Sequence, residues 1–322
     1  MSIDPLFAAL VCPRDRLPLE VGTDELRCPD GHIYPVVQGI PVMLVAEATM
    51  THPYCAGTLD VVQKGWTEAD RAGVSGTIDP FVQAEIVKTC GSMYRRVGPL
   101  RRYPIPEIQL PPASGASFLE VGSNWGRWSI SAAGRGYRAV ALDPSLDAAL
   151  AGTRVADALG TPVRYVVGDA RWLPFAEGTF DVCFSYSVLQ HFDKSDARTS
   201  IDEMARVLTP GGRMLVQLAN RYGLKQLVNS VTHLGRRSNP FRVRYWTPRE
   251  MRRAFGAIGA TELFVDGYFS LNVQASDIDL LPRRYRALVK MSEFLKKLSK
   301  RIPVLVRVAD SLYVQSYTSS PK

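Results

Sequence analysis

The sequence predicts an α/β fold in which a mainly parallel sheet is flanked by helices. From about residue 113 onward, short apolar runs alternate with stretches of helical periodicity. The first run, Ser117 to Val121, breaks at Gly122 and Gly126 and resumes as a helix. Glycines at such a turn let the backbone approach a ligand, and the first N–H groups of the helix are then available to bind it. Turns of this kind also occur for packing reasons. Motifs further along the chain are needed to distinguish a ligand-binding turn from a packing turn.

Seven strands are predicted after residue 113. They are Ser117 to Val121, Arg138 to Leu142, Arg164 to Val167, Thr179 to Ser185, Gly212 to Leu218, Thr261 to Phe269 and Leu312 to Thr318. The first five alternate with helices, which indicates parallel strands joined by helical crossovers.

Composition places the chain among ordinary globular proteins of one large or two modest domains. It has 322 residues, of which 46% are hydrophobic and 22% are charged. We expect neither secretion nor a membrane anchor, because no basic start precedes an apolar run and no stretch reaches the ~20 apolar residues of a spanning helix. A cytoplasmic protein is therefore expected. The five cysteines are dispersed and odd in number, which favours reduced thiols over a disulfide framework.

The net charge of +8 is concentrated in one segment, from Arg283 to Arg307. Its basic residues are Arg283, Arg284, Arg286, Lys290, Lys296, Lys297, Lys300, Arg301 and Arg307. Only Glu293 opposes them, so this segment accounts for the whole net charge. A local basic segment indicates an anionic partner, such as a nucleic acid, a phosphate-bearing substrate or a membrane surface.

Residues 1–46 contain two short turns that carry potential metal ligands, Cys12 with Asp15 and Cys28 with His32. This unit resembles a zinc ribbon in which Asp15 stands where a second cysteine is usual. It resembles the ribbon that precedes the methyltransferase domain of ribosomal-RNA guanine methyltransferases, and its Tyr-Pro and Gly-Ile-Pro runs resemble the small activator subunits of tRNA and protein methyltransferases. The resemblance implies a zinc site, and a carboxylate ligand would weaken it. The alternative is a ribbon without metal, held by packing of Leu19, Leu26, Ile33, Tyr34, Val36, Ile40 and Leu44.

Residues 47–112 are interpreted as a helical linker and lid. Their clearest helix is predicted from Pro80 to Val97, where apolar residues recur with helical spacing. A proline-rich segment then leads into the first strand. Residues 113–322 form the third predicted unit.

Four motifs in this third unit follow one another at characteristic separations. They are Glu120-Val-Gly122 with Gly126, Val140-Ala-Leu-Asp143-Pro144, Gly168-Asp169-Ala170, and the run from Phe180-Asp181 through Ser185 to Gln190-His191. Leu208-Thr-Pro-Gly-Gly follows them. Over residues 118–220 these motifs resemble those of class I methyltransferases, which depend on S-adenosylmethionine. A nicotinamide dehydrogenase would explain only the first two motifs.

The resemblance implies a Rossmann-like, seven-stranded methyltransferase sheet with S-adenosylmethionine as cofactor. The residues that it places at the cofactor are Glu120, Gly122, Ser123, Asn124, Gly126, Arg127, Asp143, Pro144, Asp169, Ala170, Ser185 and Gln190. Asp143 would accept hydrogen bonds from both ribose hydroxyls, and the alternative is that Asp143 caps a helix. Asp169 would accept a hydrogen bond from the adenine amine. Asn124 replaces a usual glycine, which requires a left-handed backbone there.

A base near the transferred methyl group would help if the acceptor is a hydroxyl. His191 is the candidate because it follows the fourth strand and because a histidine side chain is suited to proton transfer near neutral pH. Asp193 is the second candidate. The alternative is that Gln190 and His191 only shape the cofactor site.

Two insertions, at about 221–247 and 270–311, follow strand ends and are the predicted substrate walls. The first contains His233, Arg236, Arg237, Arg242 and Arg244, and a capping box is predicted at Thr247 and Glu250. In the second, a basic amphipathic helix over residues 283–302 carries Leu288, Met291, Leu295, Leu298 and Ile302 on one face and should stop at Pro303. That apolar face is expected either to pack on the protein or to accompany a basic face that contacts a substrate or a membrane surface.

The first functional hypothesis is O-methylation of a sugar, a glycolipid or another secondary metabolite, with a small-molecule or lipid- or glycan-linked acceptor. RNA base methylation is the second, although no aromatic and basic repeat for stacking bases is present. A cofactor-binding scaffold or regulatory protein is the third. The acceptor and the oligomeric state are not determined by the sequence.

Overall fold

The computed structural model of the chain describes residues 8–45, 53–64, 78–90, 92–224, 226, 243–271 and 273–319. Its strands are β1 (Glu20–Val21), β2 (Glu25–Arg27), β3 (Ile33–Val37), β4 (Ile40–Pro41), β5 (Ser117–Val121), β6 (Arg138–Asp143), β7 (Val163–Val167), β8 (Phe180–Tyr186), β9 (Leu208–Ala219), β10 (Thr261–Gly267) and β11 (Ser311–Tyr317). Its helices are α1 (Pro53–Lys64), α2 (Pro80–Thr89), α3 (Arg127–Ala133), α4 (Leu146–Ala158), α5 (Lys194–Arg206), α6 (Pro248–Phe255), α7 (Arg283–Ser299) and α8 (Pro303–Val308). Short 3₁₀ helices span Ser92–Arg96, Leu189–His191 and Ala275–Leu280.

The main sheet has seven strands in the order β10-β11-β9-β8-β5-β6-β7. The five strands from β9 to β7 are parallel to one another, and β11 is antiparallel to both β9 and β10. The predicted Rossmann-like α/β sheet is thus confirmed, although β9 begins at Leu208 rather than Gly212. Because β6 lies on one side of β5 and β8 on the other, the strand order reverses at β5. Ligands of such sheets bind beyond the carboxyl ends at this point.

Both faces of the main sheet are covered, which explains its nearly continuous apolar strands. All five residues of β5 are buried. Apolar residues of α5 and α6 pack on one face, among them Ile201 and Phe255. Residues of α2, α3 and α4 pack on the other, among them Ile86, Trp128 and Leu150.

The N-terminal strands form a separate antiparallel sheet in the order β1-β2-β3-β4. This sheet docks on the edge of the main one, where the Met43 backbone N–H donates to Val167 O at 2.7 Å. Leu26 and Tyr34 are buried in the same core as Phe175. Ile33, which the sequence placed among the packing residues, is instead 54% exposed because it points outward from β3.

Helix α2 is shorter than predicted. It ends at Thr89 rather than Val97, and a 3₁₀ helix follows from Ser92. Gly91 separates the two in the sequence, and glycine is a poor helix former. Much of the remaining predicted linker, and His233, Arg236, Arg237 and Arg242 of the first insertion, lie outside the described residues.

Helix α7 ends before Pro303, as predicted, and Pro303 then begins α8. The predicted apolar face packs against the protein only in part, since Leu295 contacts the core. Leu288 and Met291 are exposed, whereas α7 buries Val289, Ser292 and Ser299. The predicted capping box at Thr247 and Glu250 is confirmed at the start of α6.

Within the described ranges, no helix combines the length and the apolar character needed to cross a bilayer.

Candidate functional site

The loop between β5 and α3 is built around three residues with positive φ. Gly122, Asn124 and Gly126 have φ values of +77°, +50° and +81°. The left-handed conformation required of Asn124 is therefore present. A Cβ atom at Gly122 would lie 2.3 Å from Val188 Cγ2, and one at Gly126 would lie 2.6 Å from Tyr165 Oη. Both glycines are thus required by backbone angle and by space. We call residues 120–127 the donor loop.

Glu120 and Ser123 anchor the donor loop to the sheet. Glu120 Oε2 accepts hydrogen bonds from Ser129 N at 2.8 Å and Ser129 Oγ at 2.6 Å. Burial raises the pKa of Glu120 to about 8, partly offset by these bonds and by the charge of Arg127. The Ser123 backbone N–H donates to Leu142 O at 3.0 Å, which ties the loop to β6.

Asp143 lies at the end of β6, directly beside the donor loop. Its Oδ2 accepts from Asn124 N at 2.7 Å, and its Oδ1 accepts from Ser145 N at 3.0 Å. Burial raises the pKa of Asp143 to about 6, although these two hydrogen bonds act to lower it. Ser145, not Asp143, caps α4 through its side chain. Each Asp143 oxygen retains a lone pair that could accept a ribose hydroxyl.

Helix α1 reaches the same place. Thr58 Oγ1 donates to Pro144 O at 2.8 Å and accepts from Leu146 N at 3.0 Å. The loop after β6 is therefore covered by a residue from the region interpreted as a lid.

Two buried polar atoms of the donor loop lack a hydrogen-bond partner in the described structure, Asn124 Oδ1 and Arg127 Nη1. Arg127 is only 5% exposed. Buried polar groups are usually satisfied, so these two atoms are candidates to bind a polar ligand. A guanidinium suits a carboxylate and an amide oxygen suits an ammonium group, and the amino-acid end of S-adenosylmethionine carries both. The donor loop fits this cofactor.

Asp169 is held in a way that the sequence did not reveal. Its Oδ1 accepts from Arg171 Nε at 3.0 Å and its Oδ2 from Arg171 Nη2 at 2.7 Å. Arg171 also contacts Asp196 of α5 at 3.0 Å, and the neighbouring Ala170 is buried. Both carboxylate oxygens of Asp169 are thus engaged by Arg171. Its contact with adenine stays a prediction, and this ion pair competes with it.

The end of β8 and the segment after it are fixed from both sides. Ser185 is fully buried, and its Oγ donates to Val121 O at 2.9 Å. Gln190 Oε1 accepts from Ala219 N at 2.8 Å, which links this segment to the end of β9. Arg244, from the first insertion, donates to the backbone oxygens of Gln190 at 2.7 Å and His191 at 2.5 Å. Gln190 therefore links the segment after β8 to β9 through its side chain and to the first insertion through its backbone oxygen.

His191 ends a 3₁₀ helix and is partly exposed, while Asp193 begins α5. Asp193 Oδ1 accepts from the backbone N–H groups of Ser195 and Asp196, both at 2.9 Å. The bond from Asp196 and that from the Ser195 hydroxyl lower the pKa of Asp193. A helix-capping carboxylate with a lowered pKa is a weak base, so the structure favours His191 over Asp193. A catalytic role for either residue stays a prediction.

The sequence did not indicate a second polar cluster at the carboxyl ends of the strands. Asp266 Oδ2 accepts from Tyr186 Oη at 3.0 Å, Gln217 Nε2 at 3.1 Å and Ser311 Oγ at 2.9 Å. Four strands supply these residues, β8, β9, β10 and β11. We call them the acceptor-side cluster. Only the position of Tyr186 directly after Ser185 could have suggested its place, since the other three lie in unrelated motifs.

A third cluster lies in two turns that flank the strands of the N-terminal sheet and consists of Cys12, Asp15, Cys28 and His32. Their ligand atoms all lie within 4.8 Å of one another. Asp15 Oδ2 is 3.0 Å from His32 Nδ1 and 3.1 Å from Cys28 Sγ, while Asp15 Oδ1 accepts from Leu17 N at 3.0 Å. Two sulfurs, one imidazole nitrogen and one carboxylate oxygen therefore converge, and these are donor types that zinc accepts. The residues fit a metal ion.

Comparison with known proteins assigns the central part of the chain. Residues 118–212 match the family model described as a methyltransferase domain. Demethylmenaquinone methyltransferase of Mycolicibacterium vanbaalenii is 35% identical over 117 residues, which are 36% of this chain and 46% of that protein. Malonyl-[acyl-carrier protein] O-methyltransferase of Erwinia billingiae is 32% identical over 113 residues, or 35% of this chain and 43% of that protein. The matched stretches thus span less than half of either relative.

Among solved structures, that of the YcgJ protein of Bacillus subtilis is similar with 19% identity and a TM-score of 0.44, and the match covers 65% of this chain and 94% of that one. The family match over residues 118–212 includes the donor loop, Asp143, Asp169 and the segment after β8. This part of the chain is an S-adenosylmethionine-dependent methyltransferase domain.

Proposed function

We propose that the chain methylates a hydroxyl group of a sugar, a glycolipid or another secondary metabolite. The supporting observation is the acceptor-side cluster, whose three hydrogen-bond donors converge on Asp266 Oδ2. It lies at the same sheet edge as the donor loop, because β8 and β10 end there and β11 begins there. A polar edge of this kind suits an acceptor that carries hydroxyl groups.

Bound S-adenosylmethionine supplies an electrophilic methyl group. The donor loop and Asp143 would hold and orient it, and an acceptor hydroxyl would form its O–C bond as the C–S bond breaks. The hydroxyl proton would pass to the His191 imidazole, which lies in the segment after β8. Most of the rate enhancement would come from positioning the two reactants.

The test is incubation of the full chain with labelled donor and with extracts separated into glycan, lipid, RNA and small-molecule fractions. His191→Ala should lower turnover by about a hundredfold or more. Its donor affinity should stay near that of the wild type. Asp143→Ala should abolish donor binding in calorimetry, because both carboxylate oxygens are lost. Near-normal turnover of His191→Ala would leave His191 as a residue that only shapes the site.

A second candidate is methylation of a quinone-type ring carbon. It is favoured by the similarity to demethylmenaquinone methyltransferase and to a ubiquinone/menaquinone biosynthesis C-methyltransferase of Cereibacter sphaeroides, 36% identical over 112 residues, or 33% of this chain and 44% of that protein. Label in a C–CH₃ group, identified by mass spectrometry and NMR, would decide for this candidate. Label in RNA, with salt-sensitive RNA binding, would decide for RNA methylation. Absence of transfer to every fraction would favour a cofactor-binding scaffold.

We also propose that Cys12, Asp15, Cys28 and His32 bind zinc and thereby staple the N-terminal sheet. The support is the convergence of four ligand atoms within 4.8 Å. Metal analysis of the untagged protein should give about one zinc per chain, as expected for a single four-ligand site. Cys28→Ser should lose it, whereas Cys183→Ala, a buried cysteine in β8, should keep it. A metal-free wild type would contradict the proposal.

A further inference from the structure

Exposed apolar side chains are concentrated on α7 and the start of α8. The described residues contain ten large hydrophobic side chains that are exposed, and five of them lie between residues 288 and 304. They are Leu288 (42%), Met291 (50%), Phe294 (59%), Ile302 (40%) and Val304 (58%). The three in α7 follow one another at steps of three residues, so they share one side of the helix. We call these five residues the apolar stripe.

The helix is held in this orientation by an adjacent side that faces the protein. Val289 is 1% exposed, and Ser292 and Ser299 are also buried. Ser292 Oγ accepts a hydrogen bond from Tyr268 N at 3.0 Å, which ties α7 to the segment after β10. A surface helix normally buries its apolar side chains and exposes its serines. In α7 Val289 is buried and Leu295 packs against the core, but Ser292 and Ser299 are buried while Leu288, Met291 and Phe294 stay exposed. The exposed apolar stripe is therefore available to a partner outside the chain.

Positive charge runs alongside the apolar stripe. Arg283, Lys290 and Lys297 are exposed and recur every seven residues, so they form a row on one side of the helix. The segment from Arg283 to Arg307 contains nine basic residues and one acidic residue, Glu293. An apolar stripe flanked by cations matches the interface of an anionic bilayer, where apolar side chains enter the acyl region and cations meet the headgroups.

The same helix borders the carboxyl edge of the main sheet. Ser292 and Glu293 line a small cavity together with Tyr186 and Asp266 of the acceptor-side cluster. A surface bound to the apolar stripe would therefore lie next to the edge at which the domain binds its ligands.

We propose that α7 and α8 dock the protein on the surface of an anionic phospholipid bilayer. An RNA partner would account for the basic residues but not for the apolar stripe. RNA-binding surfaces use stacked aromatic side chains, and the apolar stripe contains a single aromatic residue, Phe294. The inference is independent of which atom the domain methylates, since it rests on the surface of α7 and α8.

Vesicle co-sedimentation of the full chain tests the proposal, with phosphatidylcholine vesicles that contain or lack phosphatidylglycerol. The wild type should bind the anionic vesicles and show little binding to the neutral ones. The double variant Met291→Gln/Phe294→Gln should bind at least about tenfold more weakly, because two apolar side chains no longer enter the bilayer. Lys290→Gln/Lys297→Gln should weaken binding by about tenfold as well.

Leu159→Gln is the matched control, since Leu159 is an apolar residue 42% exposed at the end of α4. It should bind like the wild type. Both double variants should keep wild-type melting temperature and donor affinity, which separates this proposal from the proposed activity. The proposal would be overturned if Met291→Gln/Phe294→Gln bound vesicles like the wild type, or if the wild type did not bind anionic vesicles. It would also be overturned if the wild type bound polyuridylate and this binding were lost in Lys290→Gln/Lys297→Gln but kept in Met291→Gln/Phe294→Gln.

Discussion

The donor loop and the N-terminal metal-ligand cluster are two binding sites built in opposite ways. The donor loop depends on backbone, with two glycines at positive φ pressed against Val188 and Tyr165. Most of its side chains are buried, while that of Asn124 is half-buried. The cluster depends on four side chains from two turns, and its Asp15 and His32 side chains are 21% and 34% exposed. A substitution in the donor loop should therefore disturb the domain, whereas one in the cluster should act locally.

The largest effect is expected for Gly122→Asn. Asparagine tolerates positive φ, but its Cβ would meet Val188 Cγ2 at 2.3 Å, so donor binding should be lost and the melting temperature lowered. Calorimetry and thermal unfolding would measure both. Gly160→Asn is the matched control, because Gly160 has φ +61° and open space around it. Equal behaviour of the two variants would show that packing around the donor loop is looser than described.

A smaller effect, visible only with pH, is expected for Glu120→Gln. Burial raises the pKa of Glu120 from 4.5 to about 8. Stability from the neutral form is therefore present below pH 4.5 and is lost as the pH rises through 8, at up to about 1.4 kcal/mol per pH unit. Glutamine keeps an acceptor for both bonds from Ser129 but cannot ionise, so the free energy of unfolding of this variant should fall less over that range.

Denaturant unfolding at a series of pH values would measure this difference. Glu262→Gln, at an exposed position of β10, is the control and should follow the wild type. Identical slopes for Glu120→Gln and the wild type would mean that Glu120 is not buried as described.

The smallest effect is expected for Asp15→Cys. A thiolate is a softer ligand than a carboxylate, so zinc affinity should rise by about tenfold. Titration with Co²⁺, followed by its thiolate charge-transfer absorption, would report both affinity and sulfur count. Donor affinity should not change, because the cluster lies at the far edge of β7. Weaker metal binding by the cysteine variant would show that the carboxylate is required by the geometry of the turn.

Local features of the sequence predicted most of the fold. The strand bounds followed from apolar runs between glycines and prolines, and Ser117–Val121 was placed without error. The left-handed Asn124 and the capping box at Thr247 also follow from neighbours in the chain. Helix α2 was predicted too long because apolar residues kept a helical period past Thr89 although the helix itself ends there.

Predictions about single side chains were less complete, since these depend on residues far apart in the chain. Asp169 is adjacent to Arg171, yet only the fold shows that the two pair in a buried site next to Asp196. Asp193 could have been recognised as a helix cap from its position before α5. The apolar period of α7 did not show how its face divides, with Leu295 packed on the core and Leu288 and Met291 exposed.

The sequence by itself determined the order of strands and helices, the glycine turn and the series of motifs that end in Asp143, Asp169 and His191. These depend on periodicity, on backbone freedom and on spacing along the chain, all of which are local. Only the tertiary structure decided that Tyr186, Gln217, Asp266 and Ser311 meet at one edge. It also turned the apolar stripe outward, because the buried contacts of Val289 and Ser292 set the rotation of α7. Contacts between residues far apart in the chain carry no signal in a single sequence, because they form only when the strands assemble into the sheet.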